Sequence, residues 1–233
     1  MKIRWLIGGV VLAMAFALPA QAQFFADNFD SYAAGSGIIG QGGWDGWDGS
    51  PAADAMVTTA QAFSAPNSLA VSGAADVVQQ FVGASGGVWY AKVQTYVPSS
   101  QTGELFFIIL DQYAPSGTQH WAVQVAMCQS GCVTAGVNPG SVSNLGGSDV
   151  PGTGVVPLLT DQWVEVIVEI DFGSNLYTVT YGGAFLDIQQ WTTTGSMEVS
   201  AFDLFSSASS ESYMDNVWLD TSIPVELMNF DVE

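Results

Sequence analysis

The chain has 233 residues, with 22 acidic side chains, three basic side chains and one histidine, which gives a formal net charge of −19. Two of the basic residues, Lys2 and Arg4, precede an apolar run that ends in Pro19-Ala20-Gln21-Ala22. This pattern predicts a secretory signal peptide over residues 1–22. Beyond it, Lys92 is the single basic residue, so the clustered cations that nucleic acids, anionic membranes and polyanionic substrates require are absent from the sequence.

These features predict an exported protein without membrane insertion and without a nucleic-acid partner. Its location would be the extracellular space, the periplasm or the cell surface. With 48% hydrophobic and 11% charged residues, the sequence is that of a folded chain rather than a disordered one. The length allows one large domain.

Short strands separated by turn-forming residues are predicted throughout the chain after residue 22. The strongest pattern covers 162–172, where aliphatic residues occupy every second position. A Gly-Ser-Asn turn then leads into a second strand over 176–181, which completes a β-hairpin. The remaining predicted strands are 56–60, 68–72, 77–82, 88–97, 104–111, 120–127, 199–206 and 213–219.

This spacing predicts an all-β, two-sheet antiparallel jelly-roll sandwich over residues 23–222. Residues 223–233 would then form a C-terminal extension or a closing edge strand. The longest predicted loop, 138–154, is rich in Gly and Ser. It is either an excursion beside a binding face or a mobile loop.

Two cysteines, Cys128 and Cys132, follow a predicted strand and are separated by Gln-Ser-Gly. In an exported protein this pair predicts a small disulfide loop. The ring is too small to constrain more than one hairpin tip.

A Gly-rich segment, 42–49, carries Trp44, Asp45, Trp47 and Asp48. An indole can stack on the apolar face of a sugar ring, and a carboxylate can accept hydrogen bonds from its hydroxyl groups. These four residues are therefore the predicted glycan-binding residues. The alternative is that the two Trp residues close one end of the sandwich while the Asp and Gly residues shape turns.

Carboxylates also occur in segment 27–30, which is predicted to open the first strand of the exported chain, and in the last predicted strand, 213–219. If these strands are neighbours, as in many jelly rolls, Asp30 and Asp215 come together and repel each other unless a cation lies between them. Calcium suits a secreted protein and takes six to eight oxygen ligands, so Asp30, Asp215 and Asn216 are candidate ligands for a structural Ca²⁺. Separate, solvated turn residues are the alternative.

Several segments resemble secreted bacterial concanavalin A-like lectin/glucanase domains. They occur in the expected order over nearly the whole exported chain: 28–32 (Asn-Phe-Asp-Ser-Tyr), 40–44 (Gly-Gln-Gly-Gly-Trp), 65–69 (Ala-Pro-Asn-Ser-Leu), 161–166 (Asp-Gln-Trp-Val-Glu-Val) and 213–217 (Tyr-Met-Asp-Asn-Val). The resemblance implies a jelly roll, carbohydrate binding as the commonest role, and a structural calcium at the position matched by Asp215.

Catalysis is less favoured. Laminarinase-type glucanases of this superfamily carry Glu-Ile-Asp-x-x-Glu on one strand. Here Glu169-Ile170-Asp171-Phe172 is followed by Gly173 and Ser174, so the second Glu is missing. The lone His120 suggests a structural role, and a lyase would need cations that the chain lacks.

The sequence therefore predicts a non-catalytic extracellular module that binds neutral glycans. The leading alternative is a structural or adhesive surface protein that self-associates through β edges or calcium. A glycoside hydrolase that uses carboxylates from different strands is the less favoured third interpretation.

Overall fold

The computed structural model describes residues 23–73 and 75–223. The predicted signal peptide and residues 224–233 of the predicted extension lie outside the described part of the chain. Within that part, the regular elements are two three-residue 3₁₀ turns and fifteen strands: β1 Phe25–Asp27, β2 Trp44–Gly46, β3 Met56–Thr58, β4 Ser68–Val71, β5 Asp76–Gln80, β6 Val88–Tyr96, β7 Glu104–Tyr113, β8 Gln119–Cys128, β9 Ser141–Asn144, β10 Val155–Pro157, β11 Trp163–Asp171, β12 Leu176–Tyr181, β13 Ala184–Gln190, β14 Ala201–Ser206 and β15 Ser212–Asp220.

The strands form two antiparallel sheets. The eight-stranded sheet has the order β13-β12-β11-β6-β15-β4-β3, with β1 also paired to β15. The seven-stranded sheet has the order β10-β9-β8-β7-β14-β5-β2. The prediction of an all-β, two-sheet jelly-roll sandwich is confirmed.

The main core lies between the sheets. In β11 the predicted inward residues Val166, Val168 and Ile170 are fully buried, and their alternating neighbours face outward. The same period of two orients the side chains of β6 and β12 on either side. The hydrophobic pattern thus fixes which face of this sheet is interior.

The seven-stranded sheet is apolar on both faces. In β7, Leu105, Phe107 and Ile109 point into the main core. Phe106 and Ile108 alternate with them and belong to a second apolar cluster on the outer face. This cluster is buried beneath partly exposed side chains of the same chain, among them Trp47, Trp121 and Phe205.

The predicted disulfide between Cys128 and Cys132 is confirmed, with the two Cα atoms 5.9 Å apart. It closes the segment immediately after β8. The amide groups of Val133 and Thr134, just beyond the bridge, donate to Glu104 Oε1 at 2.8 and 2.7 Å. These contacts hold the tip of the hairpin against the beginning of β7.

Candidate functional site

Trp44 lies in the core and not on the surface. Its side chain is 1% exposed, and its indole N–H donates to Asp27 Oδ2 at 2.9 Å. The same carboxylate oxygen accepts a hydrogen bond from the Tyr32 hydroxyl at 2.6 Å. This burial removes Trp44 from the predicted glycan-binding residues, because no ligand can reach its ring. For this residue the burial favours the alternative interpretation, in which the ring closes the sandwich.

Trp47 lies on the opposite side of the short strand β2, on the outer face of the seven-stranded sheet. Its ring stacks on Trp121 of β8, with centroids 5.9 Å apart and an interplanar angle of 17°. A tilted contact with Tyr113 has its centroids 5.0 Å apart. Trp47 is half-buried, so part of its surface is available to a ligand.

Asp45 and Asp48 both accept hydrogen bonds from the protein. Asp45 Oδ1 accepts from the amide of Gly46 at 2.8 Å. Asp48 Oδ1 accepts from the amide of Ser116 and the side-chain amide of Gln119, each at 2.7 Å. Asp48 thereby joins the loop that carries Trp47 to the hairpin that carries Trp121. Both carboxylates are exposed, and their contact with a sugar stays a prediction.

A cavity of about 400 Å³ lies beside the stacked indoles, and we call it the groove. Its apolar lining consists of Trp47, Phe106, Ile108, Trp121 and Phe205. Its polar lining consists of the acidic residues Asp76 and Asp203 and the uncharged residues Gln119, Gln124 and Thr134. None of these lining residues is basic. The groove therefore offers flat apolar surfaces next to hydrogen-bonding groups, without a cation for an anionic ligand.

Most of the groove was missed by the sequence analysis. One available signal was the run Leu105–Leu110, in which six consecutive residues are apolar. In a two-sheet sandwich such a run places apolar side chains on both faces of a strand. The pairing of Trp121 with Trp47 had no comparable signal, because it depends on how the turn after β2 folds over strand β8.

Two carboxyl groups, Asp76 on β5 and Asp203 on β14, lie together in the groove. Asp203 is 3% exposed, and Asp76 is partly exposed. Burial raises the pKa of Asp203 well above its ordinary value, and the charge of Asp76 raises it further. Burial likewise raises the pKa of Asp76. The two side chains are close enough to hydrogen-bond to each other when one proton is shared between them.

The end strands are neighbours, as the sequence predicts. Phe25, Ala26 and Asp27 of β1 lie opposite Leu219, Trp218 and Val217 of β15. This pairing brings Asp30 near enough to Asp215 for its charge to raise the pKa of the Asp215 carboxyl.

Both Asp30 and Asp215 hold the loop over residues 63–67 through its backbone. Asp215 Oδ2 accepts hydrogen bonds from the amides of Phe63 and Ser64 at 2.8 and 2.9 Å. Asp215 Oδ1 accepts from the Asn216 amide at 2.7 Å. Asp30 Oδ1 accepts from the amide of Asn67 at 2.9 Å. The loop is thus fixed against the end strands by direct hydrogen bonds.

These contacts do not fit a calcium site well. All four carboxylate oxygens of Asp30 and Asp215 already accept hydrogen bonds, and Asn216 Oδ1 accepts one from the Ser64 hydroxyl at 2.9 Å. Within residues 23–73 and 75–223, no three His, Cys, Asp or Glu side chains are grouped in a way that could hold a metal ion. Calcium binding by Asp30, Asp215 and Asn216 is untested, and it would require several of these hydrogen bonds to break.

We expect the melting temperature to be the same in millimolar calcium and in EDTA, because the oxygens that would bind the ion are occupied by N–H and O–H donors. Differential scanning calorimetry measures this directly. A ligand that binds the folded state raises the melting temperature. If calcium raised the melting temperature of the wild type but not of Asp30→Asn, the result would support the calcium site.

Asp215 makes the stability depend on pH. Burial is the main reason that its pKa rises from 3.8 to about 6. The folded state then binds the proton more tightly than the unfolded state, so the free energy of unfolding falls as pH rises through this interval. We expect Asp215→Asn to remove about 2–3 kcal/mol of that decrease between pH 4 and pH 7. Urea unfolding at several pH values measures the slope, and identical slopes in both proteins would contradict the expectation.

The Glu-Ile-Asp-Phe segment lies on the other sheet, away from the groove. Asp171 Oδ1 accepts the amide of Gly173 at 2.8 Å and so shapes the turn of the β11–β12 hairpin. Upstream on the same face, Glu165 forms an ion pair with Lys92 of β6. Asp171 therefore stabilises the hairpin turn, and Glu165 links two neighbouring strands of the sheet.

His120 lies at the beginning of β8, next to Trp121. Its Nδ1 is 2.7 Å from Oδ1 of the fully buried Asp111, and its Nε2 is 3.9 Å from Asp149 Oδ1. The Trp121 amide donates to the Ser148 hydroxyl at 2.9 Å. These contacts join the 147–151 loop to the strand that presents the Trp121 ring.

No family model matches the chain, and no curated protein matches it. Solved structures match its fold. A sialidase aligns with a TM-score of 0.56 and 10% identity over 86% of this chain, which spans only 18% of that protein. The cellulose-induced protein Cip1 aligns with a TM-score of 0.50 and 12% identity, over 85% of this chain and 97% of that one. At such identities the likeness shows the β-sandwich fold alone. Among the described residues, no helix is long and apolar enough to cross a membrane.

Proposed function

We propose that the protein is an extracellular, non-catalytic carbohydrate-binding module and that its binding site is the groove. The observation that carries this proposal is the stacked pair Trp47–Trp121 beside the amides of Gln119 and Gln124. Aromatic rings match the apolar faces of sugar rings, and side-chain amides both donate to and accept from hydroxyl groups. The volume of about 400 Å³ suits a short stretch of a glycan.

The preferred partner is a neutral glycan. The chain carries a net charge of −19, and no lining residue of the groove is basic. An anionic polysaccharide would be repelled by this field and would find no counter-charge in the site. The disulfide Cys128–Cys132 and the predicted signal peptide support an oxidising, extracytoplasmic location.

Affinity electrophoresis tests the proposal. The purified protein is run through native gels that contain one neutral polysaccharide each, for example β-glucan, mannan, xylan or cellulose derivatives. Retardation by at least one polymer is the expected result, and the same gels with a polyuronate should leave migration unchanged. Free migration through the whole panel would contradict the proposal.

Self-association is the second candidate, and it is favoured by the edge strand β13. Phe185 and Ile188 on this strand are 60% and 50% exposed. Unprotected edges with apolar side chains pair readily with other chains. Analytical ultracentrifugation of the wild type and of Phe185→Lys would show whether a dimer forms and whether it uses this edge.

A further inference from the structure

The Asp76–Asp203 pair is a buried acidic centre with unsatisfied oxygens. In the register of β5 and β14, Phe205 lies opposite Asp76 and Asp203 lies opposite Val78, so the two carboxyl groups are diagonal neighbours on one face. Oδ1 of each group is buried, and apart from a proton shared between the two carboxyl groups it has no hydrogen-bond partner among the described residues. A buried polar atom without a partner is costly, so such an atom in a binding groove indicates a missing ligand group.

The surroundings of the pair are acidic or neutral. The charge of Asp48 raises the pKa of Asp76, and Tyr113 is the other titratable group whose pKa is affected by these three carboxylates. The neighbouring polar side chains of β8, Gln119 and Gln124, are uncharged. No basic side chain lines the groove, so a proton shared between the two carboxyl groups is all that offsets their negative charge there.

The walls around the pair are aromatic. Trp47, Trp121, Phe106 and Phe205 line the same cavity. Aromatic faces attract cations, and a cation over a ring is stabilised more strongly where water is excluded. Two carboxyl groups inside an aromatic wall are therefore complementary to a group that is positively charged and donates several hydrogen bonds.

We propose that Asp76 and Asp203 form a subsite for the protonated amino group of an amino sugar within the bound glycan. The proposal rests on glycan binding in the groove and extends it from uncharged rings to one cationic position. An ammonium group donates three hydrogen bonds and can satisfy both Oδ1 atoms, while the pyranose ring that carries it stacks on an indole. When it binds, the proton shared by the two carboxyl groups leaves to solvent, so the subsite keeps its charge balance. The negative field of the whole chain attracts such a glycan.

A divalent cation is the competing occupant. Calcium takes six to eight oxygens, whereas the groove offers two carboxyl groups, two amides and one hydroxyl at dispersed positions. The part of the chain that the structure describes contains no cluster of three metal-binding side chains. The ammonium group is the better match because it needs only acceptors and aromatic faces.

Two glycans of equal length test the proposal. Isothermal titration calorimetry compares a fully deacetylated glucosamine hexamer with the N-acetylglucosamine hexamer, which has the same ring and linkage but no charge. We expect the amino hexamer to bind about tenfold tighter at pH 7. Titration in two buffers with different ionisation enthalpies should also show release of a proton.

Variants locate the effect. Asp203→Asn and Asp76→Asn should each abolish the preference for the amino hexamer and the proton release. Glu169→Gln is the matched control, since it removes one charge from an exposed carboxylate on the other sheet, away from the groove, and should preserve both. Thermal melting confirms that each variant is folded, and the partly exposed Asp76 provides the second variant if Asp203→Asn does not fold.

The outcomes separate the subsite from the proposed function. Equal affinity for both hexamers, or a preference that survives in both Asp→Asn variants, would overturn the subsite and leave glycan binding intact. Retardation by a neutral polysaccharide without binding of either hexamer would have the same meaning. Failure of every glycan would overturn both proposals. Terbium luminescence sensitised by Trp47 and Trp121 and lost in Asp203→Asn would assign the pair to a metal ion and overturn the ammonium subsite.

Discussion

Replacing Trp121 with alanine is expected to weaken binding to the retarding polysaccharide by about 10- to 100-fold. Trp121 forms one wall of the groove and stacks on Trp47, so its removal takes away one flat surface and releases the other. The change should leave the fold intact, because the side chain lies outside the main core. The dissociation constant from affinity gels at several polysaccharide concentrations measures the effect.

Trp163→Ala is the matched control for this experiment. Trp163 is also a half-buried indole in an aromatic group, in contact with Phe63 and Tyr96, but it lies on the eight-stranded sheet. Binding should be unchanged in this variant. If Trp163→Ala lost binding and Trp121→Ala retained it, the site would have to be moved to the other sheet.

Trp44→Ala is expected to destabilise the folded state by about 3–5 kcal/mol and to leave a cavity in the main core. The loss includes a hydrogen bond to Asp27, a carboxylate that is itself 8% exposed. A buried acceptor that loses a donor adds to the cost of the missing ring. The melting temperature should fall by about 10 °C, as judged from the size of the chain.

Two further variants separate the contributions at this site. Trp44→Phe keeps much of the volume but removes the indole N–H, so it should cost about 1–2 kcal/mol. Trp47→Ala, three residues away, should change stability little while weakening glycan binding. Similar losses of stability at positions 44 and 47 would contradict the assignment of one ring to the core and the other to the surface.

The sequence predicted the long strands well because their side chains alternate. The strand β11 and the hairpin that follows it appear at the predicted positions, and the interior residues of β11 are those of its aliphatic face. The strands β2, β9, β10 and β13 were missed. The first three have only three or four residues each, which is too short for a period of two to be recognised. The strand β13 has seven residues, but their burial does not alternate and its pairing with β12 shifts register.

The candidate site was predicted only in part. The Trp-Asp segment was recognised by composition, but composition does not say which indole faces the core. The strand β2 points Trp44 inward, and the 3₁₀ turn that follows carries Trp47 to the outer face. No sequence pattern pairs Asp76 with Asp203, because their proximity depends on β5 and β14 being neighbours in the sheet. Strand order in a jelly roll is set by how the whole chain packs, and local sequence patterns do not reveal it.

The position of Lys92 in the central strand β6 has a practical consequence for proteolysis. Trypsin cuts after Lys and Arg, and the sequence after residue 22 offers it Lys92 alone. That residue lies in β6, which is paired on both sides by β11 and β15, and its side chain is 16% exposed. A protease needs an extended, accessible segment, so cleavage at this peptide bond requires the central strand to detach. Residues 23–223 therefore contain a single-site reporter of unfolding, in which cleavage after Lys92 proceeds only as fast as the sandwich opens.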